Sequence, residues 1–263
     1  VPLPADASVL IAFSGQHAVK SAGARDRFNE RVANYRLGLL LLRRMCPRLA
    51  SRLQYIRDVS PSRLGITLDA VHDLVAKLPA HITRHEIRRQ LGPAFREQVE
   101  RIFSSHSDPG YYTIRDVVAY GVGECERSRI AAERLDEGDL EAFGELMLVS
   151  HDGDRVSGEP VPASVMGTAS AAMDAVPLHR IAGAYACSTE NIDRIVDIAR
   201  QVPGVYGAQL AGAGLGGCVM ILARRRAAPR VKAVLANEYY RPRSMVPALW
   251  EVRSVAGGGI ISP

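Results

Sequence analysis

Residues 211–217 read AGAGLGG, and an apolar run, CVMILA, follows at once. Glycine at that density permits positive φ and clears side chains from the backbone. The chain can then bring its N–H groups against a phosphate or against another tight loop. The dinucleotide-binding form of such a fingerprint needs a helix straight after the glycines. Residues 218–223 are instead a run of strand length, so that reading fails on context. No Gly-x-x-x-x-Gly-Lys-Ser/Thr occurs either. Spacing alone leaves two readings: a phosphate-facing loop, or a close-packed connection between strands.

The flanking residues supply the frame. Ser188-Thr189 caps an amphipathic helix with Ile192, Ile195, Val196 and Ala199 on one face, and Pro203-Gly204 ends it. Residues 205–210 and 218–223 read as strands, a helix begins at Pro229 and runs to Tyr240, and 248–255 with 259–262 make a final extended pair. This order suits an α+β arrangement of antiparallel strands with helices on one face. Upstream, SVLIAFS at 8–14 is strand-like. From Asp26, the residues Phe28, Val32, Tyr35, Leu39 and Leu42 recur at helical spacing, which predicts a helix over 26–45. Between 46 and 111, Pro and Gly punctuate short amphipathic pieces (68–78, 84–91, 94–103), which read as a helical insert. A long helix is predicted over 113–135, then a break at Gly138 and an N-cap at Asp139 for a helix over 140–149. Ser150-His151 leads into a Gly/Ser/Pro-rich stretch read as loop.

Composition excludes several classes. The 263 residues, 47% of them hydrophobic and 23% charged, describe a chain with ample core for one or two domains, neither fibrous nor disordered. The longest apolar run, 37–42, is far short of the ~20 residues a membrane span needs, so no membrane partner is expected. Of the 33 basic residues 30 are Arg, yet they are spread opposite acidic ones, the one cluster being Arg224 to Arg226 with Arg230. Without interleaved aromatics this does not read as a nucleic-acid surface. The four cysteines form no Cys-x-x-Cys pair, and VPLPADASVLIAF shows no secretory leader, so reduced thiols and a cytoplasmic setting are expected. Glu124, Glu126 and Asp139 fall on helix faces or caps, and His151 reads as a loop histidine satisfied by backbone. Ser150-His151 does not signal a hydrolase, because no Gly-x-Ser-x-Gly elbow exists.

Over more than 30 residues, STENIDRIVDIARQVPGVYGAQLAGAGLGGCVMILA resembles the third signature of the GHMP sugar kinases, in their galactokinase-like branch. ECERSRIAAERLDEGDLEAFGELMLVSH is similar to a stretch of the same branch. SGQHAVKSAGARDRFNERVANYR looks like the segment after the family's catalytic Asp, with its Asp26, Arg31, Val32 and Tyr35 nearer the arabinokinase-like branch. The resemblance implies a C-terminal domain over 112–263 with a ferredoxin-like antiparallel sheet and helices on one face. It also implies a helical insert or linker over 46–111 and a strand-and-helix remnant of an N-terminal kinase domain over 1–45. It implies Mg²⁺-ATP and a monosaccharide, with Gly212, Gly214, Leu215, Gly216 and Gly217 toward the nucleotide and Phe28, Asn29 and Arg31 toward the sugar. Galactokinases place Tyr-Asn where this chain has Phe28-Asn29, which removes a hydroxyl from that position.

The family's Arg/Glu/His/Asp sugar motif and Gly-Leu-Ser-Ser-Ser phosphate loop do not occur here, and its catalytic Asp would fall just before Val1. No catalytic or metal-binding residue is therefore assigned. The expectation is the C-terminal part of a kinase that phosphorylates a monosaccharide hydroxyl at the anomeric position, inactive without its N-terminal partner domain. A non-catalytic sugar- or nucleotide-binding regulatory module is the alternative. The fragment reading carries two physical expectations: the 8–14 strand and the 26–45 helix lack the elements they pack on, and residues from 112 onward fold by themselves.

Overall fold

A computed structural model describes residues 3–17, 22–161 and 176–252. Its strands are Ala7–Phe13 (β1), Val205–Ala211 (β2), Cys218–Arg224 (β3) and Leu249–Val252 (β4). Its helices are Ala22–Met45 (α1), Pro61–Leu64 (α2), Leu68–Ala76 (α3), Arg84–Leu91 (α4) and Arg96–Phe103 (α5). Ile114–Glu137 (α6), Leu140–Asp154 (α7), Glu190–Arg200 (α8) and Ala228–Leu235 (α9) follow.

The four strands form one antiparallel sheet in the order β2-β3-β1-β4. Strands 1 and 2 are separated in sequence by the helical elements, β2 and β3 by the glycine loop, and β3 and β4 by α9. This is the split βαβ order of a ferredoxin-like sheet. Alternation decides the faces: Leu10 and Ala12 of β1, Ala208 and Leu210 of β2, and Val219, Ile221 and Ala223 of β3 are buried in one cluster. Ile192, Ile195, Val196 and Ala199 of α8 and Val231 and Leu235 of α9 close that cluster from above. On the opposite face, Leu140 and Met147 of α7 pack with Ala7 and Leu222. Fully burying a Leu or Ile side chain contributes about 1.5–3 kcal/mol, so this cluster holds the sheet to its helices.

A π-helical turn at Ala236–Tyr240 swings two adjacent tyrosines into the core. The Tyr239 hydroxyl donates to the Ser14 carbonyl at 2.7 Å, and that of Tyr240 donates to Phe13 at 2.6 Å. Together they anchor the end of β1, where the chain turns toward the glycine loop.

The second core is helical. Residues 37–42 of α1 are apolar all round, and a helix of that kind must be covered on several sides. Leu37, Leu40 and Leu42 are buried with Val71, Val75, Ile87, Leu91, Val99, Ile114 and Val118 from α3, α4, α5 and α6. Two glycines let α1 and α6 approach. A Cβ on Gly38 would lie 2.5 Å from Val118, and one on Gly121 would lie 2.5 Å from Tyr35.

Several expectations need correction here. Strand β1 is interior, bonded to β3 on one side and β4 on the other, so it exposes no edge. The sheet within 112–263 is not complete without it. Helix α1 is covered by the helices of 46–111, although Phe28 at its start is 41% exposed and lies off the buried face. Helix α7 runs on to Asp154, past the Ser150-His151 expected as loop. The Gly138 break and Asp139 cap occur as expected: Gly138 takes φ 73°, and the Asp139 carboxylate accepts from Ala142 N at 3.0 Å. Of the final extended pair, 249–252 is strand, and 253–263 lie outside the described residues. Among the described residues, no helix is long and apolar enough to cross a membrane.

Candidate functional site

The glycine loop connects β2 to β3 at one end of the sheet. Gly212, Gly214, Gly216 and Gly217 all take positive φ, between 85° and 127°, and Leu215 between them takes 62°. A left-handed non-glycine residue costs about 1–2 kcal/mol, so its surroundings must hold it. The Leu215 amide donates to the Cys187 carbonyl at 2.6 Å, and the Gly217 amide donates to the Gln16 carbonyl at 2.7 Å. Ser14 N returns a bond to the Gly217 carbonyl at 2.9 Å. Gly214 is wedged against that same Cys187 carbonyl, with no room for a Cβ. Gly212 and Gly217, by contrast, face open space. The loop is thus braced on one side and bare backbone on the other, which suits close approach of a phosphate-bearing group.

The brace is a short strap, 181–188, between α7 and α8. Helix α7 ends with unsatisfied carbonyls, as every helix does. Gly153 O accepts from Tyr185 N and Ala186 N at 2.7 and 3.0 Å, and Asp154 O accepts from Ser188 N at 2.8 Å. The strap also reaches α1, since Arg27 donates to Ala186 O at 3.4 Å. One residue later, Cys187 meets the glycine loop. The start of α1 and the loop are therefore joined through two adjacent strap residues.

Beneath the strap, three aromatic rings stack, Tyr35 on Tyr185 at 5.8 Å and Tyr185 on Tyr120 at 4.9 Å between centroids. The Tyr120 hydroxyl donates to the Asp154 carboxylate at 2.9 Å. Burial raises that carboxyl to about 7 and pushes the Cys187 thiol up to about 11, so neither group resembles an activated nucleophile.

One turn earlier in the same helix, His151 is fully enclosed. Its Nδ1 accepts from Leu210 N at 3.4 Å, and its Nε2 faces the equally enclosed Asp193 carboxylate at 3.2 Å. Burial alone would raise Asp193, yet its bonds from His151, Ser188 and Val156 prevail and hold it below the usual carboxylate range. The carboxylate also accepts from Ser157 N and Oγ at 2.8 and 3.1 Å. The pair ties α7 to α8 beside β2, a positional role for a histidine expected in a loop.

Of the residues expected toward a sugar, Phe28 is exposed on α1. The Asn29 side-chain amide donates to Ser105 O at 2.8 Å. Arg31 is buried, donating to the Thr113 hydroxyl at 3.2 Å and lying 3.5 Å from Glu30. Two of the three therefore direct polar atoms to the segments that follow α5 and precede α6, while Arg31 Nε is buried without a hydrogen-bond partner among the described residues. Asp154, Asp193 and the strap were not singled out from sequence. The available signal was Asp193 lying between Ile192 and Ile195, where the apolar face of α8 should admit no unpaired charge. Among the described residues no group of three His, Cys, Asp or Glu side chains could hold a metal ion.

Residues 131–241 match the family model described as GHMP kinases C terminal. The galactokinase of Bos taurus is 28% identical over 184 residues, 62% of this chain and 40% of that protein. The galactokinase of Homo sapiens is 31% identical over 159 residues, 59% of this chain and 33% of that protein. A crystal structure of Lactococcus lactis galactokinase complexed with galactose aligns with TM-score 0.54 at 19% identity. It covers 96% of this chain and 47% of that one, a likeness of fold. The chain spans well under half the length of these curated relatives.

Proposed function

From the match of residues 131–241 to the family model described as GHMP kinases C terminal, we propose that this chain is the C-terminal part of an ATP-dependent sugar kinase. The intact enzyme would move the γ-phosphoryl group of ATP to a monosaccharide hydroxyl, with the anomeric hydroxyl as the acceptor. The sugar oxygen forms a bond to phosphorus, the bridging P–O bond breaks, ADP leaves, and the hydroxyl proton passes to a base.

One observation carries the reading: a glycine loop open at Gly212 and braced at Leu215 and Gly217, within a segment related to galactokinases. Phosphoryl transfer is mostly positioning and charge stabilisation. The bare backbone gives the triphosphate room. Meanwhile Cys187 and Gln16 take up two of the loop's amides and fix its shape. Asp154 and the tyrosine stack hold the strap, and through it the loop. Mg²⁺ would neutralise developing phosphate charge. Its ligands, the base and the phosphate loop are assigned to an N-terminal kinase domain acting with this chain. Phe28 and the start of α1 form the side nearest the sugar in this reading. The four cysteines are free thiols, which suits a cytoplasmic enzyme.

The test is a coupled ADP-release assay on the 263-residue chain and on the reading frame extended upstream of Val1. The extended protein should turn over with galactose or arabinose, and the chain alone should not, because the missing base and phosphate loop carry orders of magnitude of rate. Aldose-dependent turnover by the chain alone would refute the division of labour. An extension lacking both elements, with no turnover, would favour a regulatory binding module.

A further inference from the structure

The arginine cluster noted in the sequence lies at the other end of the sheet. The glycine loop precedes Cys218, whereas Arg224 closes the same strand, and seven strand residues span roughly 20 Å. At that far end a cleft of about 700 Å³ opens between α7 and the turn leading into α9. It is lined by the basic Arg224, Arg226 and Arg230, by Tyr206, and by the acidic Glu141 and Glu145.

The charges are not mutually satisfied. Arg224 is held by Glu141 at 3.0 Å and lies over the Tyr206 ring at 5.7 Å. Glu145 is turned to Arg180 at 3.8 Å. Among the described residues, no carboxylate lies within ion-pair distance of Arg226 or Arg230. Both side chains are exposed and line the same cleft, Arg226 from the turn before α9 and Arg230 from α9 itself. The fold gains nothing from these two guanidiniums facing one cleft. A guanidinium is a planar fork that matches phosphate oxygens two at a time, and two forks side by side suit a group with several such oxygens.

We propose that this cleft is a second ligand site, separate from the glycine loop, which takes a small phosphate-bearing anion with a diphosphate or phosphate-ester group. Arg226 and Arg230 grip the phosphoryl oxygens. Arg224, fixed by Glu141 and Tyr206, lines the same cleft, and Glu145 remains to meet a hydroxyl or amine of an organic ester.

Inorganic pyrophosphate is the probe, titrated by calorimetry and by ¹H–¹⁵N shifts at constant ionic strength. The expected result is saturable binding with shifts concentrated at Tyr206 and residues 224–230. Inorganic phosphate should bind more weakly, and ribose 5-phosphate would show whether an organic ester gains from the acidic residues. Arg226→Gln with Arg230→Gln should weaken pyrophosphate binding at least tenfold while leaving the thermal midpoint unchanged. Arg48→Gln, an exposed arginine of the helical half, should leave binding intact. Absence of saturable binding, shifts spread over all exposed arginines, or equal loss in the Arg48 variant would overturn the proposal.

Discussion

Replacing Asp154 with Asn should flatten the dependence of stability on pH between about 4 and 7. Asp154 is 8% exposed, and burial is the main reason its carboxyl moves from 3.8 to about 7. Glu124 pushes the same way, while the Tyr120 hydroxyl, the Cys187 amide and Arg127 pull back. Tyr35, Tyr185 and the Cys187 thiol complete its surroundings, and each is itself driven toward its neutral form by burial. In the unfolded chain the carboxyl ionises near 3.8, and in the folded chain it keeps its proton to about 7. The folded state thus binds the extra proton in this window. Its contribution is fully present below about pH 4, falls as pH rises and is gone above about pH 7. A tenfold change in proton affinity is worth about 1.36 kcal/mol, which bounds the loss at roughly 4 kcal/mol. Relaxation around the charge brings the expected value to about 2 kcal/mol. Asn keeps an acceptor for Tyr120 and carries no charge. Urea unfolding followed by far-ultraviolet circular dichroism, at about pH 5 and about pH 8, reads the difference. The part of this change that falls between those values is a little over half, so the wild-type chain should lose about 1 kcal/mol more than the variant, and the variant should be the more stable at the higher one. Equal slopes, or a variant less stable at the higher pH, would refute the reasoning.

Other substitutions test other joints. Gly214→Ala meets both a φ of 85° and the Cys187 carbonyl, and should lower the unfolding free energy by about 2–4 kcal/mol; an unchanged urea midpoint would make the loop a simple surface turn. Leu10→Ala, at a fully buried position of β1, should cost about 2–5 kcal/mol, and a chain beginning at Tyr112 should fail to show a cooperative transition. Thr189→Ala removes the side-chain cap on Ile192 N at a cost of about 1 kcal/mol. His151→Leu strips one partner from enclosed Asp193 and should cost about 3 kcal/mol, with little change if the three bonds from Val156 and Ser157 suffice.

Local chemistry was legible wherever neighbours in sequence are neighbours in space. Thr189 caps α8 and Asp139 caps α7 because a short oxygen-bearing side chain reaches N–H groups two or three residues on. The continuous apolar run at 218–223 is that of a strand covered on both faces. The density of glycine in 211–217 permitted left-handed backbone, and four glycines adopt it. Where β1 pairs was not legible, because antiparallel partners more than two hundred residues apart leave no periodic trace in either segment. The same holds for α7. His151 and Asp154 follow what looks like the end of a helix, and only the strap 181–188 and Asp193 supply the partners that let α7 run on to Asp154. The Asn29 and Arg31 side chains could have pointed to a ligand as well as to Ser105 and Thr113. The choice rests on how α1 lies against the helices of 46–111 and α6. Sequence by itself thus determined which segments are helix, strand and tight loop, since those depend on bonding over three or four residues. Tertiary structure alone decided which buried charges face each other and which backbone the glycine loop leans on, because those contacts join residues brought together only when both cores close.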